Sequence, residues 1–355
     1  MTKTVFYISF SKLEYSVNAV YIMGLEQNNV PVCKVHVNKR RFVDYFRALG
    51  EYWSNRKNIG FIIIGYDSPQ LATLMRPFSR KKIVYNALCS VYERYVVSRA
   101  IVPRISIKSF YYWLIDFLGA HASDLVMLET NEQIKYFSRL FGVSEKKCFR
   151  AWTGVDESRF FYNPNILRPE IFTVIFRGGL LPESGAEYAV RAAKILEKEK
   201  GLQFIMHAND QELPKIQRLV QELRPANLRL ITSFLSDEDL RTLMQKSHLS
   251  LGQLSSHPRL TRTIPHKAYE SLVLRLPYLT ANNRGIMELL EPGETCIVCN
   301  PADPESLAKQ IMWAKNHPQE LEKIAENGYR LYKEKLTSKI LAGQLLQEVE
   351  KLFAR

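Results

Sequence analysis

The chain has 355 residues, 46% hydrophobic and 24% charged, enough for two domains that each bury a core and too apolar for a disordered chain. Its net charge of +13 is uneven: residues 1–168 hold 24 basic and 13 acidic residues, while residues 169–355 hold 25 and 23. A basic first half points to nucleic acid, an anionic membrane surface or an anionic substrate, and no nucleic-acid motif accompanies it.

The opening MTKTVFYISF is followed at once by polar Ser11, Lys12 and Glu14, which predicts no signal peptide. No apolar run reaches the roughly 18 residues of a membrane span. Five cysteines in apolar surroundings suggest reduced, buried thiols of a cytoplasmic protein. Cys296-Ile-Val-Cys299 has a metal-like spacing but no second pair, so it reads as two thiols on a short strand.

Thr4–Phe10 reads as a buried strand, followed by a helix near residues 14–28 and a second strand at Val32–Val37. Ile59–Gly65 is a continuous apolar run between turn residues, the pattern of a parallel-sheet strand, and Lys82–Tyr85 and Leu125–Leu128 repeat it. A long helix is expected around Ser109–His121. The Pro- and Asn-rich stretch Tyr162–Pro169 reads as a linker. A second alternating series follows, with strands expected at Phe172–Phe176, Gln203–His207, Leu228–Ile231, His248–Leu251, Pro277–Thr280 and Thr295–Val298. A last helix spans Ser338–Phe353, with Ile340, Leu341, Leu345, Leu346, Val349 and Leu352 at helical spacing. The fold class is therefore α/β with parallel sheets. The expected domains are residues 1–165, residues 170–337 and a terminal helix at 338–355.

From Leu240 to Tyr269 the chain carries five cations and three histidines without one acidic residue, in a half that is otherwise nearly neutral. The run ends in Thr263-Ile-Pro-His-Lys-Ala-Tyr-Glu270. Pro265 suits the start of a helix, whose free N–H groups and positive dipole end would face the preceding loop. Arg262 lies just before that terminus, Lys267 lies in the first turn, and Glu270 shares the face of Lys267. Two cations and a helix N-terminus can hold a diphosphate, and one carboxylate can accept hydrogen bonds from two ribose hydroxyls. The same residues also fit a solvated basic loop before an ordinary Lys–Glu pair. A second strand–turn–helix unit, Asn282-Asn-Arg-Gly285 leading to Ile286–Leu290, puts a glycine at the turn and Glu288 in the first helical turn. Phe176-Arg-Gly-Gly-Leu-Leu-Pro-Glu-Ser-Gly185 follows a strand, and its Gly178 and Gly179 would let backbone N–H groups approach a phosphate. Its spacing is neither a Walker loop nor the dinucleotide fingerprint.

Together these segments resemble glycosyltransferase family 4. The residues that carry the resemblance are Arg262-x-Ile-Pro-x-Lys267-x-x-Glu270, Pro277, Glu288-Leu-Leu, Pro292-Gly and Asn300-Pro-Ala-Asp303-Pro-Glu-Ser-Leu307. The glycine loop at 178–185 adds to it, as do weaker N-terminal matches around Tyr85–Ser90 and Gly154-Val-Asp156. The resemblance implies the GT-B architecture, two facing Rossmann-like domains, with the last helix crossing back to the first. It also implies a nucleotide-diphosphate sugar as co-substrate, no cofactor or obligatory metal, and retention of anomeric configuration. Arg262 and Lys267 would then neutralise the departing diphosphate as the catalytic groups. Gly178, Gly179, Glu270, Gly285 and Glu288 would bind the donor, Glu270 through the ribose. The chain departs from the family pattern in three features: Arg262 stands where a first glutamate is common, Gly179 and Ser184 where Arg and Lys are common, and the loop Ser9-Phe-Ser-Lys12 lacks glycine.

Asn86, Ser90 and Arg99, around the end of the Lys82–Tyr85 strand, are the acceptor-side candidates. Residues 104–115 mix cations with aromatic side chains, which fits either an anionic bilayer or the core face of a helix. The expected acceptor is a glycan or an anionic lipid-linked molecule, with a peripheral position on the inner face of a membrane. A catalytically inactive nucleotide- or glycan-binding relative and a sugar-nucleotide epimerase of the same architecture are the alternatives.

Overall fold

Strands that run apolar on both faces need cover on both, and the alternating helices supply it. In the computed structural model, which describes residues 3–39 and 41–354, this produces two six-stranded parallel sheets. The first contains β1 (Thr4–Ser9), β2 (Val32–His36), β3 (Ile59–Ile64), β4 (Lys82–Leu88), β5 (Leu125–Leu128) and β6 (Cys148–Arg150) in the order β2-β1-β3-β4-β5-β6. Its helices are α1 (Ser16–Gln27), α2 (Phe42–Asn55), α3 (Pro69–Met75), α4 (Ile107–Ala122) and α5 (Asn131–Phe141). Phe6, Ile8, Ile62, Ile64, Tyr85, Val126 and Leu128 form the centre of its core. The sequence reading missed β6, whose three residues are too few for a periodic signal.

The second sheet contains β7 (Phe172–Gly179), β8 (Leu202–Asn209), β9 (Leu228–Ile231), β10 (Leu249–Leu251), β11 (Tyr278–Ala281) and β12 (Ile297–Cys299), ordered β12-β11-β10-β7-β8-β9. Helices α6 (Ala186–Ile195), α7 (Leu213–Leu223), α8 (Asp237–Gln245), α9 (His266–Val273), α10 (Pro304–Asn316) and α11 (Pro318–Lys335) accompany it, and α12 (Ser338–Ala354) ends the described chain.

The chain divides into two compact units, residues 1–156 with 336–355 and residues 157–335; the expected outer limits at residues 1 and 355 lie outside the described residues. Residues 162–169 are held to the second unit, where Gln245 bonds the Asn163 backbone and Arg168 reaches the Arg275 carbonyl. The last helix returns to the first unit, where α12 packs against α1. Gly24 of α1 makes that approach possible, since a Cβ there would collide with the Ser338 carbonyl. Asn28 ties the same seam by donating to the Lys339 carbonyl at 2.8 Å. Gly24→Ala should therefore overpack the seam and cost about 1–3 kcal/mol in a urea unfolding curve. A stability equal to the parent's would show that α12 contributes little to the unit.

The cysteines follow two patterns. Cys89, Cys296 and Cys299 are buried and unbridged, while Cys33 and Cys148 are only half-buried because their strands lie at the two edges of the first sheet.

Candidate functional site

In the second sheet the chain reverses its direction of winding between β7 and β10, with β8 and β9 on one side and β11 and β12 on the other. A crevice opens beyond the carboxyl ends of the strands at such a reversal. Two adjacent strands deliver backbone to that point: β7 ends in Arg177-Gly178-Gly179, and Gly252 follows β10. Helix α9 begins there too. Pro265 is its N-cap, extended at φ −69°, and His266 opens the helix, as the proline in the sequence implies.

Lys267, on the first turn of α9, is buried between these pieces. Its Nζ lies 3.8 Å above the Phe176 ring, and its one hydrogen bond among the described residues is a long one, to the Gly252 carbonyl at 3.4 Å. Gly178 adopts φ 132°, a region side chains avoid, and a Cβ there would sit 3.4 Å from Lys267 Cε. The glycine thus keeps the backbone within reach of the ammonium. Burial, helped by repulsion from Arg177 and opposed by Glu270, holds the Lys267 ammonium down to about 7.

Glu270 is buried one turn further along α9. Its Oε1 meets His266 Nδ1 at 2.9 Å, the contact of residues four apart on a helix, and its Oε2 lies 2.7 Å from an Arg177 terminal nitrogen. Burial alone would raise this carboxyl, but Arg177 and His266 outweigh it and keep the group below the usual carboxylate range. The Arg177 contact lacks hydrogen-bond alignment, so Oε2 remains a buried acceptor without a hydrogen-bond donor, and His266 Nε2 is likewise unmatched. The cluster therefore holds three nitrogen bases around one carboxylate.

Beside the cluster is a cavity of about 590 Å³, lined by Arg177, Gly178 and Gly179, by residues 207–210 after β8, and by Thr232–Leu235. Phe234 stands 92% exposed at its rim. Gly179 lines the same cavity, with Asp210 packed against it.

The remaining expected residues are distributed differently. Arg262 is buried on the loop leading into α9, and its guanidinium donates to the Pro258 carbonyl at 3.0 Å. Gly285 is brought against this loop: its N–H donates to the Leu260 carbonyl, and a Cβ would come within 2.5 Å of the Thr263 nitrogen. Its φ of −60° is open to any residue, so close packing against the loop is what demands glycine. The helix expected at Ile286–Leu290 is a single 3-10 turn, Ile286–Glu288. Glu288 lines a second groove of about 520 Å³ with Asn282, Met287 and Pro292. In the first unit, Asn86 is buried and donates to the Val17 carbonyl at 3.2 Å, and Ser90 caps the Glu93 N–H at 2.9 Å. Arg99 follows the π-helical turn Glu93–Ser98 and is half-buried.

Sequence reasoning overlooked Arg177 and His266, the two partners of Glu270. The signal for His266 was present as a four-residue spacing. That for Arg177 was not, since only the meeting of β7 with α9 brings it there. No group of three or more His, Cys, Asp or Glu among the described residues could hold a metal ion.

Residues 162–331 match the family model for glycosyl transferases group 1. That stretch carries the whole Lys267 cluster. The match covers 170 of the 355 residues, all of them in the second unit. Among curated proteins, the chain is 25% identical to the alpha-D-kanosaminyltransferase of Streptomyces kanamyceticus over 173 residues, 48% of this chain and 44% of that one. It is 24% identical to the MMP alpha-(1->4)-mannosyltransferase of Mycolicibacterium hassiacum over 216 residues, 61% of this chain and 51% of that one. The chain thus spans about half the length of the curated relatives it matches. Among solved structures, Anabaena Alr3699/HepE in complex with UDP and glucose is similar with a TM-score of 0.71 at 14% identity, covering 98% of this chain and all of that one. The shared fold is GT-B.

Proposed function

We propose that the protein is a nucleotide-sugar-dependent glycosyltransferase, retaining and independent of metal, that moves a sugar from a nucleoside-diphosphate donor to a glycan or lipid-linked acceptor. The observation that carries this reading is the Lys267 ammonium. It is buried at the reversal point of the sheet, has a single long hydrogen bond among the described residues, and lies beside a glycine backbone and an adjoining cavity. A diphosphate supplies the charge that this group lacks. As the bond from sugar to diphosphate lengthens, negative charge grows on the leaving oxygens, and a preorganised cation stabilises it without reorganising. Arg262 serves the same charge from the loop before α9. The α9 N-terminus and the Gly178 and Gly179 backbone complete the cradle. Glu270 takes the ribose through Oε2, with Arg177 and His266 positioning its carboxylate. Phe234, exposed at the rim of the cavity, offers a face for the base to stack on.

UDP is bound in the similar Anabaena structure, so UDP and UDP-glucose are the first probes. A ligand at 100 times its dissociation constant stabilises the native state by about 2.7 kcal/mol, so the melting temperature should rise by several degrees. No shift with UDP, UDP-glucose or any other nucleoside diphosphate or its sugar would defeat the proposal. On the acceptor side, the basic first half supports an anionic lipid-linked molecule met at the inner face of a membrane. No helix among the described residues is long and apolar enough to cross one.

A further inference from the structure

Large apolar side chains left in water are concentrated on one part of the first unit. On α2 these are Phe42, Val43 and Phe46, each at least 74% exposed. On the segment entering α4 they are Ile105 at 99% and Ile107 at 90%, with Phe110 and Tyr111 on the following turn also exposed. Scattered exposed apolar residues need no explanation, but a contiguous set does.

A shared groove links the two helices that carry these groups. Tyr45 of α2 and Ile115 and Leu118 of α4 line the same groove of about 460 Å³, with Pro77 and Phe78 at its end. Tyr111 of α4 bonds Gln70, another residue of that groove, at 3.4 Å. On the far side of Phe110, a second groove of about 650 Å³ is lined by Tyr92, Trp113, Ile105 and Ile107, with Arg104 beside them. The amphipathicity of α2 therefore has an unusual form: its inner face buries only Ala48 and Tyr52, while its first turns turn phenylalanines outward.

Charge identifies what covers this face. Residues 38–57 contain six Lys and Arg against two acidic residues, and residues 99–115 contain three against none. Of those two acids, Asp44 accepts from the Asn38 backbone and meets Arg47 at 3.6 Å. Arg41, Arg47, Arg104 and Lys108 are exposed around the apolar residues. An apolar patch fringed by cations, with aromatic rings between the two, matches the boundary of an anionic bilayer, where side chains enter the acyl region and cations meet the phosphates.

We propose that α2 and the N-terminal half of α4 form a single docking face for an anionic lipid bilayer, with Phe42, Phe46, Ile105 and Ile107 entering the membrane. This deepens the lipid-linked acceptor reading above by placing the contact, yet it concerns binding and not transfer. The face has two independent halves, so removing either should weaken binding without abolishing it.

The full chain is sedimented with vesicles of phosphatidylcholine alone and of phosphatidylcholine with 30% phosphatidylglycerol, at low and high salt. Binding is expected to the anionic vesicles and to fall as salt shortens the Debye length below its roughly 8 Å at physiological strength. Phe42→Ser with Phe46→Ser, and separately Ile105→Ser with Ile107→Ser, should each lower the partition coefficient on the order of tenfold or more. UDP-glucose binding by calorimetry should be unchanged in both pairs. Loss of UDP-glucose binding in the parent would count against the donor reading and leave this one standing. The docking face is overturned if the parent ignores anionic vesicles at low salt, or if both variant pairs bind them as the parent does. It is equally overturned if the parent self-associates through these residues and does not bind lipid, which would make the face a contact between copies.

Discussion

Lys267→Met should make the protein more stable and much slower in transfer. The ammonium is pulled from an ordinary value of 10.5 down to about 7 by burial, so folding with a charged Lys267 carries a penalty. The sign follows from linkage. Between about 7 and 10.5 the unfolded chain holds a proton that the folded chain does not, so this group's contribution improves as pH rises through that window and is least favourable below it. Methionine has nearly the same length and no charge to desolvate, and replacing a poorly paired buried ion by a packed apolar side chain is often stabilising. At pH 6.5 the gain should be on the order of 2–4 kcal/mol, and it should shrink toward zero near pH 10. Transition-state stabilisation should fall over the same scale, on the order of 2–4 kcal/mol, because the donor of charge is gone. Unfolding curves at the two pH values and single-turnover rates provide the measurements. A variant less stable at pH 6.5, or one that turns over normally, would contradict the assignment of Lys267.

The same group predicts a pH dependence of binding in the parent. Below about 7 the ammonium is charged before the donor arrives; above it, binding must take up a proton. Affinity for UDP-glucose, whose diphosphate does not titrate near neutrality, should decline above pH 7 by up to about tenfold per unit. Lys267→Met should remove the slope.

Glu270→Ala should destabilise strongly. It would leave Arg177 facing the Lys267 ammonium and remove the acceptor for His266 Nδ1. Breaking a buried ion pair by deleting one partner costs about 3–5 kcal/mol, because a desolvated charge is left uncompensated. Glu270→Gln should recover part of the loss by keeping the contact with His266. If Glu270→Ala unfolds within about 1 kcal/mol of the parent, the carboxylate is not the counter-charge of this cluster. In the double variant Glu270→Ala with Lys267→Met the loss should be smaller than in Glu270→Ala alone, since the repulsion between Arg177 and Lys267 is then absent.

Much of this was readable in the sequence, because it depends on neighbours along the chain. The apolar runs at Ile59–Ile64 and Leu125–Leu128 are strands by local pattern, Pro265 marks a helix start by its own ring, and Gly178 announces a backbone that side chains must avoid. The segment from Arg262 to Leu307 carries the family resemblance in order and spacing. What lay beyond reach depends on partners distant in sequence. Sheet order is one case, because the reversal between β7 and β10 that opens the crevice is decided by which crossovers pack where. The pairing of Arg177 with Glu270 is another, and so is the burial that turns Lys267 from an ordinary surface cation into one that titrates near neutrality. The docking face shows the same division. Residues 104–115 could be read as membrane-facing or as core, and only the folded unit leaves Ile105 and Ile107 in water while burying Ile115. Composition decided that the first half is basic; the packing of α2 and α4 decided where that charge surrounds an apolar surface, because exposure is a property of the whole core and not of any one segment.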